Sequence, residues 1–562
     1  MNIMNQIVSG SRRPLRIVAG CFGLLAFAAC GGGGGDGGGG TGVLPPPPPP
    51  PPPVRQPQAA VFMAVEPNTQ DRHLFSAADD GSALTQLTPN FTTTNGAVVQ
   101  AAVSPDGQTV AYAAAATTDD VVDVYVMPIA GGTPVQVSSG FPAGTGVQSL
   151  HWAPDSSQLA YVANPLGRAP RGFRHNEVFL ADRDGGNNRK INGSVGSPPV
   201  VAVQNPQWSP DGRYLAQGVY SLDPFFTLVG INTFDTTLGA PNSTRINPAL
   251  DWRNGERLWS DWKWSPDSTQ IAFRSEHRVD DQIELYVAPA DGTSVVNILQ
   301  LDQGKDVNGF EWSPNSERLA YWGDVFDVGR VELFTSRRNS SGHIRLSKRG
   351  TLTANQSTPI SWLPDSTRLV YRLDQDIPGV FEYYLAEMSA AVHPKLHRDL
   401  VSGEWVAEAK VSPDGSQISF RSNIESGQSD LFVVDVDLSN QRKLSGTVIA
   451  NGFGVASHAW SPDSTRIAYN ADRNVSARTF ELFVATADGL TDNQVSAAIA
   501  AGEYVDFARS TDWSNDSTRI LFRTIDDSGT FPEPLDLWVG TTDGSAPIML
   551  NGTNDYVGIS SY

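Results

Sequence analysis

"WSPDSTRIAYNAD" at residues 460–472 decides the fold of this chain, because near-copies of it recur along most of its 562 residues. They are "VSPDGQTVAY" at 103, "WAPDSSQLAY" at 152, "WSPDGRYLAQ" at 208, "WSPDSTQIAF" at 264, "WSPNSERLAY" at 312, "WLPDSTRLVY" at 362, "VSPDGSQISF" at 411 and "WSNDSTRILF" at 513. The nine phrases start 48 to 56 residues apart, with no helical stripe between them. A period near 50 marks one supersecondary unit copied many times.

Each phrase has the chemistry of a turn between two strands. In Ser-Pro-Asp-Gly, Pro takes the second turn position, where its fixed φ fits a type I turn. Ser takes the first, where a hydroxyl bonds the backbone, and Gly or Ser the fourth. Alternating stretches such as "RIAY" and "QIAF" form the next strand. A further strand follows, as in "ELYVAPADG" or "ELFVATADG", ending in an Asp/Gly hairpin turn, and a short one such as "RKLSG" closes the unit. With the strand leading into the Trp, each unit has four antiparallel strands. The expected fold class is therefore all-β, a β-propeller of repeated four-stranded blades. Seven of the nine phrases carry Trp while two have Val103 or Val411, which suits a wedge between blades. No enzyme needs nine active sites, so the repeated Ser and Asp are expected to be structural.

The pattern W-S-P-D-[GS]-x-x-[IL]-A-[YF], followed by L-[YF]-V and D-G-G, resembles the WD40-like repeat of TolB-type propellers. It is similar also to the propeller domains of prolyl-oligopeptidase-type proteases. The resemblance covers residues 58–562 and implies a fold more than a function. TolB-type proteins carry an α/β domain before the propeller, whereas these repeats follow a low-complexity segment at once. The peptidases carry an α/β-hydrolase domain, and this sequence has no G-x-S-x-G elbow. Residues 60–88 match the second to fourth strands of a unit, and "NDYVGISSY" at the other end matches a first strand. The last strand is thus expected to complete the first blade, giving about ten units in one ring. Two smaller propellers in series are the alternative.

Residues 1–29 have the form of a signal peptide. "SRRPLRIVAGCFGLLAFAAC" has a basic start, an apolar run too short to span a bilayer, and small residues before Cys30. Ala28-Ala29-Cys30 with Leu25 upstream resembles a bacterial lipobox, which implies a lipidated Cys30. Residues 30–57 form a tether whose run of nine prolines, 45–53, makes a polyproline II rod of about 28 Å. The expected location is the bacterial cell envelope, as an outer-membrane lipoprotein facing periplasm or cell surface. Residues 58–562 are the repeats. The net charge of −20 repels phosphate backbones and anionic lipids, so no nucleic acid partner is expected, and membrane contact is expected only through the lipid.

Alternating strand direction places the Ser-Pro-Asp turns and Asp-Gly hairpins on one face. The variable loops and the connections between blades share the other, and loops on a rigid scaffold are where binding concentrates. That face collects basic Arg168, Arg171, Arg174 and His175, aromatic Trp252, Trp259 and Trp262, and acidic Asp280, Asp281, Asp324 and Asp374. His393 and His397 have a spacing that suits a metal on a helix, but Pro394 argues against a helix. "DRDGGNN" at 182–188 resembles a calcium loop but occupies a hairpin position. Neither metal nor cofactor is expected. The leading expectation is a non-enzymatic, monomeric scaffold binding a protein or polysaccharide partner through its long-loop face. The alternative is a polysaccharide lyase or hydrolase with a site at the channel mouth.

Overall fold

The computed structural model describes residues 59–561 apart from segments 66–70, 92–95, 117–119, 166–175, 193–199, 222–226, 239–242, 251–255, 278–281, 303, 349–358, 391–392, 450–451, 474–478, 497–502, 507–511, 527–532 and 553–554. The described residues form strands and turns, without a helix. Blade 9 shows the unit. Val455–Trp460, Arg466–Ala471, Glu481–Thr486 and Asp492–Gln494 pair antiparallel in that order, innermost first. The same order recurs in blades whose first strands are Val98–Val103, Thr145–Trp152, Val200–Trp208, Val307–Trp312, Ile360–Trp362 and Val406–Val411, which are blades 2, 3, 4, 6, 7 and 8.

Three details depart from a uniform four-stranded unit. The first strand is broken in two in blade 5, at Arg257–Leu258 and Lys263–Trp264, and in blade 10, at Glu503–Val505 and Asp512–Trp513. In blade 7 the fourth strand is reduced to a bridge between Tyr384 and Lys395. Blades 2 and 3 are joined into one sheet by a parallel pair, Val121–Val122 with Thr145–Gly146.

Blade 1 is composite. Ala59–Val65, Arg72–Ala78 and Leu84–Gln86 supply three strands, and Asp555–Ser561 pairs antiparallel with Ala59–Val65 as the fourth. First strands run toward the turn face and second strands away from it. Ala59 and Ser561 therefore both lie on the turn face.

Cores between neighbours show how the ring closes. Each joint has its own apolar cluster, such as Leu285, Val287, Phe310 and Trp312 between blades 5 and 6, or Val433, Ile467 and Phe483 between blades 8 and 9. The cluster of Ala60, Phe62, Phe75, Leu521, Leu537 and Val539 joins blade 10 back to blade 1. Ten such clusters make one unbroken cycle. Two separate propellers would leave blades 5 and 6 without a shared core, so the structure is a single ten-bladed ring. Residues 56–562 accordingly form one compact unit.

The repeated phrase builds the joints as well as the turns. In blade 9 the Ser461 hydroxyl donates to Asp463 Oδ1 at 2.6 Å and accepts the Arg466 amide at 3.0 Å, while the Ser464 amide bonds Ser461 O at 3.0 Å. The fourth turn residue is left-handed throughout: Gly107, Ser156, Gly212, Ser268, Ser316, Ser366, Gly415, Ser464 and Ser517. Serine is strained there where glycine is not. The compensation crosses the joint. At six joints the serine hydroxyl accepts the amide of the third turn residue in the preceding blade, as in Asp414 N to Ser464 Oγ at 3.0 Å. The Trp acts similarly, its indole N–H donating to a carbonyl of the preceding blade at six joints over 2.8 to 3.4 Å.

A substitution at the turn separates the two effects. Ser464→Ala keeps the left-handed strain and loses the bond, so it should cost about 1–2 kcal/mol in urea unfolding. Ser464→Gly loses the bond but relieves the strain, and should fall within about 0.5 kcal/mol of the parent. Equal costs for the two would mean that the strain contributes nothing.

Candidate functional site

The loop face is the part of the ring that the repeat leaves free to vary. Of the residues expected there, Arg168, Arg171, Arg174, His175, Trp252, Asp280 and Asp281 lie outside the described residues. Trp259, Asp324 and Asp374 are described, and each has an architectural task.

Asp324 and Asp374 are not free surface carboxylates, being 3% and 2% exposed. Asp324 ends the second strand of blade 6 and accepts the Asp306 amide at 2.7 Å and the Gly329 amide at 2.9 Å. It thereby fixes both its own loop and the strand entering the blade. Asp374 fixes its own loop in blade 7 by accepting the Gly379 amide at 3.0 Å. Asp374→Ala should therefore destabilise by about 1 kcal/mol, because the loop loses the carboxylate that accepts the Gly379 amide. Thermal melting checks this, and an unchanged midpoint would return Asp374 to the surface set.

Trp259 is half-buried, with the guanidinium carbons of Arg257 and Arg274 at 5.0 and 5.7 Å from its ring. Trp262 is fully packed in the core between blades 4 and 5, contrary to its expected place on the loop face. Both arise from the broken first strand of blade 5, whose two pieces turn one Trp inward.

The histidines are also architectural. After the fourth strand of most blades, a polar side chain accepts an amide of the third strand: Ser445 from Leu431, Asn247 from Ile231, Asn551 from Leu537. His397 fills this position in blade 7, its Nε2 accepting the Tyr383 amide at 3.4 Å and its Nδ1 donating to Arg398 O at 2.7 Å. His393 Nδ1 accepts the Glu387 amide. The metal-like spacing is a by-product of two backbone contacts. The "DRDGGNN" stretch closes on itself, with Gly186 N on Asp184 Oδ1 and Asn187 Nδ2 on Asp182. Among the described residues no three His, Cys, Asp or Glu side chains cluster as a metal site.

One arrangement has the order of a hydrolytic triad. Ser419 Oγ lies 2.9 Å from His458 Nε2, and His458 Nδ1 lies 3.7 Å from Glu408. Its protons run the wrong way. Ser419 donates to Lys410 O at 3.2 Å, so Nε2 must carry a proton and donate to Ser419. Nδ1 is then bare, and no hydrogen bond links it to Glu408. A working triad needs Nε2 unprotonated and Nδ1–H on the acid. Ser419 and His458 are also 0% exposed. Burial, with Lys410 and Arg421 nearby, holds the His458 ring well below its usual pKa. Glu408 does not offset this because its carboxylate is shared by Lys410 at 2.9 Å and Arg421 at 2.7 Å.

Among the described residues, the loop face presents an arc of apolar side chains. Phe326 (56% exposed), Val328 (66%), Ile377 (50%), Val401 (64%), Trp405 (37%) and Phe453 (55%) all stand on loops or connections of blades 6 to 9. The other exposed large apolar residues, such as Leu84, Val135, Leu238, Leu490 and Met549, are scattered. Sequence reasoning passed over this arc while attending to charge, although "DVFDVG" and "DQDIPGV" put apolar residues in loops where solubility disfavours them.

A ten-bladed β-propeller with an apolar arc on its loop face is the class that fold and surface define. Among known proteins, the model of the dipeptidyl peptidase IV N-terminal region matches residues 412–533, in blades 8 to 10. An uncharacterized peptidase of Bacillus subtilis, YuxL, is 28% identical over 123 residues, which is 21% of this chain and 17% of that protein's length. In structure the chain is similar to Porphyromonas gingivalis dipeptidyl peptidase 4, with a TM-score of 0.46 and 12% identity over 83% of this chain and 63% of that one. It is similar also to TolB from Acinetobacter baumannii, with a TM-score of 0.27 and 15% identity over 64% of this chain and 81% of that one.

Proposed function

We propose that this protein is a non-enzymatic scaffold, held in the bacterial envelope by a lipidated Cys30, that binds a protein or polymer partner through its loop face. The observation that carries the reading is the arc of exposed apolar side chains on blades 6 to 9. Such side chains, gathered on one face of a rigid ring, are costly in water and are retained where a partner covers them. The buried triad-like group supports the binding reading over a hydrolytic one, since neither Ser419 nor His458 meets solvent.

The test immobilises the full chain and exposes it to solubilised envelope. A variant with Phe326→Ser, Ile377→Ser and Trp405→Ser should lose a partner that the parent captures. Leu490→Ser, which alters an 82% exposed residue on the turn face, should keep it. Loss in both variants, or in neither, overturns the loop-face assignment. Turnover of a polysaccharide by the isolated chain would replace the scaffold reading with that of a lyase or hydrolase. For the anchor, Cys30→Ser should abolish incorporation of labelled palmitate, and retained incorporation would place the lipid elsewhere.

A further inference from the structure

Four blades carry arginine at the fifth place of the second strand: Arg274 in blade 5, Arg372 in blade 7, Arg421 in blade 8 and Arg523 in blade 10. Three of them are neutralised from the inner edge of their own blade. Their Nε atoms bond Asp261 at 2.8 Å, Glu408 at 2.7 Å and Asp506 at 3.0 Å. Arg274 and Arg421 also donate from Nη1 into the next blade, to Val307 O at 3.0 Å and Val455 O at 2.8 Å.

Arg372 is the exception. Its strand pairs Ile360 with Tyr371, so the register sets Pro359 across from Arg372, where Asp261 and Glu408 stand in blades 5 and 8. The stretch that enters the blade, "SKRGTLTANQSTPISW" at 347–362, contains neither Asp nor Glu. Among the described residues the buried Arg372 Nε has no hydrogen-bond partner, and the guanidinium lies 4.6 Å over the Phe381 ring. Carboxylates in the neighbourhood are held by other cations: Asp376 by Lys348 at 2.7 Å, Glu404 by Arg398 at 2.5 Å, and Glu408 by Arg421. A half-buried guanidinium without a counter-ion is unfavourable, and burial depresses its pKa. An open place of this kind in a folded chain calls for an explanation, and a ligand group that completes the set supplies one.

Its place in the ring fits that role. Second strands run toward the loop face, so Arg372 stands at the loop end of blade 7. Val370, two residues earlier, lies in the core between blades 7 and 8, so Arg372 turns toward blade 8. Ile377, on the loop that follows, and Val401 and Trp405, on the connection to blade 8, are exposed around it. We propose that Arg372 is the polar anchor of the loop face, binding the carboxylate of an acidic residue in a peptide segment of the partner. Apolar residues beside that carboxylate cover Ile377, Val401 and Trp405. The ligand carboxylate takes the place that Asp261 and Glu408 fill in the sister blades. This assignment rests on the loop-face reading above and names the chemistry that face recognises. A peptide suits it better than an acidic glycan, because Ile377 and Val401 are aliphatic and offer no aromatic face to a sugar ring.

Calorimetric titration of the full chain tests the anchor with a blocked peptide in which leucines and phenylalanines flank one glutamate, and with the same peptide carrying glutamine. The parent should bind the glutamate peptide at least about tenfold more tightly, the factor expected for one charge-assisted hydrogen bond. Arg372→Met should erase that preference. Pro359→Asp, which supplies the missing carboxylate from within the chain, should erase it too, and it keeps the test decisive if Arg372→Met fails to fold. Equal affinities in the parent, or a preference that survives in either folded variant, would overturn the anchor. The loop-face assignment would then still stand or fall on its own capture experiment. Failure of the parent to bind either peptide would overturn the anchor as well. If an oligogalacturonate then bound the parent but not Arg372→Met, the carboxylate would belong to an acidic glycan instead.

Discussion

A chain ending at Asn551 is expected to melt roughly 5–10 °C below the full-length protein and to associate through its edge. Removing Asp555–Ser561 takes away the only partner on one side of Ala59–Val65. That strand holds Ala60, Phe62 and Ala64, all 0% exposed, which face the core joining blade 1 to blade 10. Loss of a ladder at about 1 kcal/mol per hydrogen bond removes several kcal/mol. For a ring of this size each kcal/mol shifts the midpoint by about 1 °C. The bared strand would also present unpaired backbone groups to other chains. Calorimetry and sedimentation of the two proteins check the result, and an unchanged midpoint would mean that the ring closes without this strand.

The second large effect is acid destabilisation from buried histidine. Burial, with the Lys410 and Arg421 charges beside it, lowers the pKa of His458, and burial lowers that of His397 with Lys395 and Arg398 nearby. Both rings fold as the neutral form, whereas in the unfolded chain a histidine titrates at about 6.5. Below that pH the unfolded state holds more protons, so stability is intact above about 6.5 and falls as pH drops toward the folded-state values. Two such groups give a slope of up to about 2.7 kcal/mol per pH unit. Denaturant titrations from pH 7.5 to 5 should show it. His458→Gln should flatten the slope by about one proton whatever it does to absolute stability. A slope unchanged in that variant would mean that His458 does not titrate in this window.

How much of this was legible depends on what the chain repeats. The turn phrase contains its own hydrogen-bonding logic within five residues, so the strands, the turn and the ring closure followed from it. The joints were only half legible. The Trp wedge showed, but the bond from Asp414 to Ser464 spans 50 residues and appears only once blades are side by side. The burial of Asp324 and Asp374 was not legible, because a loop carboxylate looks the same in sequence whether it meets water or a backbone amide. His397 gave a metal-like spacing because it substitutes for the Ser or Asn that caps other blades. Function was the least legible, since what the loop face presents is carried by segments that do not repeat.

The course of the chain at Ala59 has a mechanical consequence. The strand Ala59–Val65 starts on the turn face and runs inward between two antiparallel neighbours. A tether pulled through residue 58 loads that strand along its own length. Both ladders then bear the load in shear, all their bonds together, instead of being unzipped one at a time. Were the tether joined to an outer strand such as Leu84–Gln86, the same tension would peel the blade from its edge. If Cys30 is held in a membrane as proposed, tension would enter the ring through a strand paired on both sides, and drag on a bound partner would be carried by blade 1 first.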